Sequence, residues 1–185
     1  QFQLDIKKPL IVLAMSRWWN DDEIWISNFI KYCNKNNFQI IIKLHPVYKI
    51  DLREFSDRKI RKISENCSNN QYTILYDADL FKLLSAADVV ITDFSNIGID
   101  TILLERPLLT VNFSNENFEN IMQYDKYDSS INIQIYLDLE KIVKEILIEQ
   151  KHLEKLSIGR KKIIELINYK NDGKAAERIF KSITK

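Results

Sequence analysis

Between Ala86 and Phe113 the sequence reads AADVVITDFSNIGIDTILLERPLLTVNF. An apolar run from Val89 to Ile91 ends in the polar turn Thr92-Asp93-Phe94-Ser95-Asn96. Helical spacing follows from about Ile97 to Leu104, and a second apolar run begins after Pro107. This is a β-turn-α-β unit, which sets its two strands parallel through a right-handed crossover. Ser95 and Asn96 are residues favoured at helix starts, and Gly98 lets another group approach closely. The turn is therefore a place where an anion can meet free N–H groups at the carboxyl end of a buried strand. A capping role for Ser95 alone would use the same residues, so the rest of the chain has to decide.

The same alternation runs through the whole sequence. Pro9 to Ser16, PLIVLAMS, and Phe38 to Leu44, FQIIIKL, are continuous apolar runs of strand length, the pattern of strands covered on both faces. His45-Pro46 closes the second, because proline cannot donate to a ladder. Tyr72 to Tyr76 is a short third strand rich in β formers, and Ile131 to Tyr136 alternates like a last, edge strand. Helices are expected from about Asp22 to Lys35, with Ile24, Ser27, Phe29, Ile30 and Cys33 inward, and from about Leu52 to Asn66. A further helix, Leu80 to Ala86, follows Asp77 or Asp79 as its cap and turns Leu80, Leu83 and Leu84 inward. Leu139 to Leu147, Leu153 to Ile167 and Ala175 to Ile183 read as helices, the last capped by Asp172-Gly173-Lys174, while Ser114 to Ser130 reads as a loop with one short helix. The expected fold is α/β, a Rossmann-like parallel sheet of about six strands with helices on both faces. Ligands of such sheets bind at the carboxyl ends of the strands, which here carry Ser16-Arg17, His45-Pro46, Asp77 and Thr92 to Asn96.

Several chemistries are excluded by count. With 3 glycines the chain has no Gly-x-Gly-x-x-Gly and no Walker loop. Two histidines and two isolated cysteines, Cys33 and Cys67, make a zinc site improbable, and a net charge of +1 gives no basic field for nucleic acid. The apolar runs are too short to span a membrane, and no signal peptide opens the sequence, so a cytoplasmic location is expected. The first residue is Gln1, which fits a piece of something longer. The aromatic trio Trp18, Trp19 and Trp25 fits a surface that another body covers, with core packing as the alternative for Trp25.

Four segments carry a resemblance: Leu44 to Pro46 (LHP), Ala78 to Asn96 (ADLFKLLSAADVVITDFSN), Asp100 to Pro107 (D-x-x-L-L-x-R-P) and Asp172 to Ile179 (DGKAAERI). Together they look like the carboxyl-terminal lobe of GT-B type transferases. The closest resemblance is to the CDP-glycerol glycerophosphotransferase family of teichoic acid synthesis, where a His-Pro and a Thr-Asp-Tyr-Ser-Ser motif recur in this order. Asn96 replaces the second serine, and no arginine-glycine-aromatic stretch follows Phe113. A sugar nucleotide used in capsule or surface-glycan synthesis is the alternative donor. The lobe is also similar to that of non-hydrolysing UDP-N-acetylglucosamine 2-epimerases, although their Ser-Gly-Gly turn is absent here. A non-catalytic nucleotide-binding or scaffold domain of the same fold is the reading from a different class.

The resemblance implies a nucleoside-diphosphate donor as substrate, no cofactor, and inverting, metal-independent transfer to a glycan or polyol-phosphate acceptor. It also implies a missing amino-terminal lobe, without which this chain would turn over little or nothing, and a place at the inner face of the membrane for the full protein. On the same basis the catalytic candidate is His45, whose imidazole would contact the donor pyrophosphate. Ser95 and Asn96 would hold the β-phosphate and Asp100 the ribose hydroxyls. Thr92 and Arg17 complete the donor-binding candidates, Arg17 as a phosphate ligand from the end of the first strand. Asp93 is expected to orient the turn, and Arg106 to be structural.

Overall fold

The apolar runs form the expected strands. The computed structural model describes residues 4–16, 22–50, 53–68, 71–93, 95–113, 124–167, 170 and 172–184. Strands β1 (Leu10–Leu13), β2 (Gln39–Lys43), β3 (Thr73–Leu75), β4 (Val89–Thr92), β5 (Leu108–Val111) and β6 (Ile131–Ile133) make one sheet in the order β3-β2-β1-β4-β5-β6. All five pairings are parallel, with Val12 of β1 opposite Ile41 on one side and Val90 on the other. Every residue of β1, β4 and β5 is buried, as a strand covered on both faces requires.

Successive side chains feed two cores. Ile11 and Leu13 point into one with Ile26, Phe29, Ile30, Ile63, Leu139 and Val143; Leu10 and Val12 point into the other with Leu84, Ile102 and Ile163. The first is covered by α1 (Asp22–Lys35), α3 (Arg53–Asn66) and α6 (Tyr136–Leu147), the second by α4 (Leu80–Ala86) and α5 (Ile97–Leu103). Helix α7 (Leu153–Ile167) serves both, placing Leu156 in the first core and Ile163 in the second. Helix α8 (Ala175–Ile183) buries no residue, and Asp172 before it accepts from the Lys174 amide at 3.0 Å and Arg178 Nη1 at 2.7 Å.

The boundaries hold with local corrections. Ile24 is 59% exposed, and Trp25 and Ile26 take the inner position instead, because the buried apolar set runs 25, 26, 29, 30, 33, with Ser27 buried beside it as expected. A one-turn helix, α2 (Val47–Ile50), follows His45-Pro46 and was not anticipated. Tyr136 opens α6 rather than closing β6, and Asp79, not Asp77, caps α4 through the Lys82 amide. Both cysteines are free and buried. Trp25 lies in the core, edge-on to Phe113 at 5.2 Å, whereas Trp18 and Trp19 lie outside the described residues. Among the described residues no helix is long and apolar enough to cross a membrane.

One charged group inside this frame has a testable consequence. Glu23 is buried where α1 meets α3, and its carboxylate accepts from Lys59 Nζ at 2.5 Å and Lys62 Nζ at 2.6 Å. Burial pushes the carboxyl up, but the two ammonium donors outweigh it and hold it down at about 2. A carboxylate whose folded value lies below the ordinary 4.5 stabilises fully above that pH, and the contribution is lost as pH falls toward 2. Glu23→Gln, which leaves two ammonium groups facing a neutral amide, should lower stability by about 2 kcal/mol at pH 7, the share of half-exposed Lys62 being screened. Urea midpoints at pH 7 and pH 3 check this: the parent should lose stability at the lower pH and the variant should lose less.

Candidate functional site

In a sheet of this order the connections from β1 and β4 leave in opposite directions, which opens a crevice beyond their carboxyl ends. An open cleft of about 420 Å³ lies there, lined by Ser16, His45, Pro46, Leu80, Ser95, Asn96, Ile97 and Asp100. Each of the first four strands sends the segment that follows it into this cleft: Ser16 after β1, His45 after β2, Leu80 after β3 and Ser95 after β4. Four of the six candidates, His45, Ser95, Asn96 and Asp100, therefore share one concavity.

His45 is exposed on the short turn between β2 and α2. Its Nδ1 accepts the Val47 N–H at 3.2 Å, which leaves the ring proton of the neutral imidazole on Nε2. The turn is fastened from below by Lys43, a residue that stands out as the single cation in the run FQIIIKL. Its buried ammonium donates to Leu44 O at 2.7 Å and Tyr76 O at 3.0 Å, tying the residue before His45 to the end of β3. Burial pulls the Lys43 amine down, partly offset by Asp77. Asp77 in turn pairs with Lys49 of α2, an exposed bridge of little energetic weight.

Across the cleft, Asn96 is the residue before α5 and makes no side-chain cap bond, while Ser95 Oγ accepts the Ile97 N–H at a long 3.4 Å. A Ser or Asn at a helix start ordinarily commits its oxygen to that end. Here Asn96 makes no such bond and Ser95 only a long one, and both residues line the cleft. Asp100 is half-buried one turn further on, and burial pushes its carboxyl above the ordinary carboxylate value. Among the described residues it forms no ion pair.

Thr92 does not belong to this group. It is fully buried, and its hydroxyl donates to Ala14 O at 2.6 Å, clamping β4 to β1 beneath the cleft. Asp93 orients the turn as expected: it accepts from Ser16 N at 3.0 Å and Ser16 Oγ at 2.6 Å, fixing Ser16 on the rim. Arg17 lies outside the described residues. Arg106 stands at the amino-terminal end of β5, away from the cleft, with its Nε buried and unbonded. Sequence reasoning passed over Tyr124, which packs against Gly98; ten residues of mostly polar, unpatterned chain separate it from Phe113 at the end of the opening unit.

The model of the CDP-glycerol:poly(glycerophosphate) glycerophosphotransferase family matches residues 17–185. The chain belongs to this family. A curated relative, the teichoic acid glycerol-phosphate primase of Bacillus subtilis (strain 168), is 29% identical over 115 residues, which are 60% of this chain and 27% of the primase. The wall teichoic acid polymerase TagF shares the fold with a TM-score of 0.69 at 17% identity, over 98% of this chain and 44% of TagF. The chain thus spans less than half the length of either relative. A UDP-N-acetylglucosamine 2-epimerase from Listeria monocytogenes (14% identity, TM-score 0.61, 85% of this chain and 43% of that one) has a similar lobe. So does the C-terminal CMP-Kdo binding domain of WaaA from Acinetobacter baumannii, at 15% identity and a TM-score of 0.59 over 85% of this chain and 89% of that domain. At these identities the structural likeness establishes the fold, a GT-B type lobe.

Proposed function

We propose that this chain is the donor-binding lobe of a glycerophosphotransferase or related glycosyltransferase of cell-envelope polymer synthesis, and that the cleft holds the nucleoside diphosphate of the donor. The observation that carries this reading is the convergence of His45, Ser95, Asn96 and Asp100 on one cleft at the β1/β4 crevice. The His45 Nε2–H donates to the pyrophosphate and stabilises the charge that builds on the leaving group. Ser95 and Asn96 give hydroxyl and amide donors to phosphate oxygens, and Asp100 accepts from the ribose hydroxyls. CDP-glycerol is the donor favoured by family membership, and a TagF structure soaked with CDPG is among those sharing the fold.

A second lobe faces the cleft and brings the glycan or polyol-phosphate acceptor. Ile24, Phe81, Ile135 and Leu137, all within two residues of the starts of helices that leave the carboxyl rim, are 56–73% exposed and supply an apolar surface for it. The whole protein would then work at the inner membrane face, where such polymers are built.

A thermal-shift panel of CDP, UDP, GDP, CMP and CDP-glycerol tests the donor reading. A ligand at a hundred times its Kd adds about 2.7 kcal/mol, or roughly 5–10 °C for a chain of this size. CDP or CDP-glycerol should give the largest shift and Asp100→Asn should reduce it. Failure of every nucleoside diphosphate to stabilise the chain would overturn the reading.

A further inference from the structure

Lys43 closes an otherwise apolar strand and is only 7% exposed. Alternation turns it to the same side of the sheet as Ile41, toward the second core, level with Leu75 of β3. Taking an ammonium out of water is costly, and a strand buried on both faces is better served there by an apolar side chain. The two carbonyls that receive the amine show what it does instead. Leu44 O, at 2.7 Å, and Tyr76 O, at 3.0 Å, belong to the first residues beyond β2 and β3. The amine therefore ties together the two points at which the chain leaves these strands.

The other end of the β2–α2 turn is held as well. Ser56 Oγ of α3 donates to Tyr48 O at 3.2 Å, and the Tyr48 ring stacks on Phe55 with centroids 6.3 Å apart. Between the two anchors lie His45, Pro46 and Val47, closed into a turn by the Tyr48 N–H, which donates to His45 O at 3.0 Å. His45 and Pro46 line the cleft. The imidazole is exposed, and its bond from the Val47 N–H at 3.2 Å stays within the same turn, so the ring's place is set by the backbone that carries it.

We propose that Lys43 is a positioning residue of the donor site: by clamping Leu44 O and Tyr76 O, its buried ammonium fixes the turn that presents the His45 Nε2–H to the donor phosphates. This rests on the reading of the cleft as a nucleoside-diphosphate site. The contribution of Lys43 passes through His45, so the two residues should be energetically coupled.

Lys43→Met is comparable in length and leaves both carbonyls without this donor. Calorimetric titration of the parent, Lys43→Met, His45→Ala and the double variant with CDP measures the coupling. Lys43→Met should weaken binding about fivefold, less than His45→Ala does, and in the His45→Ala background the same change should cost less than about twofold. Without nucleotide at about pH 8, the 15N shifts of the His45 ring should report a proton on Nε2 in the parent and a mixture of both tautomers in Lys43→Met. Should Lys43→Met not fold, Lys43→Gln, which keeps an uncharged donor, takes its place; failure of both to fold would assign Lys43 to stability and overturn the proposal. Parent-like CDP affinity, unmoved ring shifts, or an equal loss in both backgrounds would overturn the role of Lys43 alone. A parent that binds no nucleoside diphosphate would overturn it together with the reading of the cleft.

Discussion

Gly159→Val is expected to lower stability by at least about 3 kcal/mol, a fall in thermal midpoint of roughly 6–12 °C or more, or to prevent folding. Helix propensity argues the other way for a small substitution, since alanine in a helix interior is about 1 kcal/mol better than glycine. Sterics decide here. The added Cβ would sit 2.3 Å from carbonyl atoms of Tyr127 and Asp128, and backbone cannot swing aside as a side-chain tip can. Valine adds two methyl groups to that clash and brings the poorer helix propensity of a β-branched residue. Gly173→Ala is the contrast: φ is +70° there and nothing lies within 4 Å, so the cost is left-handed backbone strain of about 1 kcal/mol. Thermal melts of both variants check the ranking, and a Gly159→Val chain as stable as the parent would contradict the docking of α7 on the 3-10 turn Tyr124–Tyr127 and the residue after it.

His45→Ala should produce the largest functional loss. A charge-assisted donor to a phosphate oxygen is worth about 1.5–3 kcal/mol, so CDP binding should weaken roughly 10–100-fold by calorimetry. Where the lobe works with its partner, donor consumption should fall by about 10²–10³-fold, because the interaction strengthens as charge builds on the leaving group. His45 is exposed and its loss removes only the bond to the Val47 N–H and no core contact, so the melting temperature should fall by little. A fall in midpoint matching the fall in affinity would point to a structural histidine.

The strands were legible because burial on both faces demands unbroken apolar runs, which stand out in PLIVLAMS and FQIIIKL. Strand order was not, since sequence alternation shows parallel crossovers but not the direction in which each one turns. That order is what creates the crevice. A shared rim for Ser16, His45 and Asp100 was readable from the strand ends, whereas the cleft between them took shape only with the sheet assembled. Ser95, Asn96 and Asp100 were readable because they sit on one turn of chain. Thr92 was misplaced because alternation along β4 turns its side chain toward Ala14 rather than to the rim, a one-residue matter of facing. Ile24 failed at the edge of an otherwise correct inner face, where Ser27, Phe29, Ile30 and Cys33 are buried and Trp25 and Ile26 take its place. Lys43 left a signal, a cation in an apolar strand, that pointed to a buried amine without naming its acceptors. Tyr124 left none, because its packing against Gly98 joins parts of the chain far apart in sequence.

The most direct measurement is an NMR titration of the 15N-labelled chain with CDP. Amide shifts should concentrate at Ser16, His45 and Ser95 to Asp100, around the cleft at the carboxyl ends of β1 and β4. Shifts confined to the cavity at the opposite end of the sheet, around Asn37, Gln39, Gln71 and Tyr72, or no shifts at all, would contradict the assignment of the cleft as the donor site.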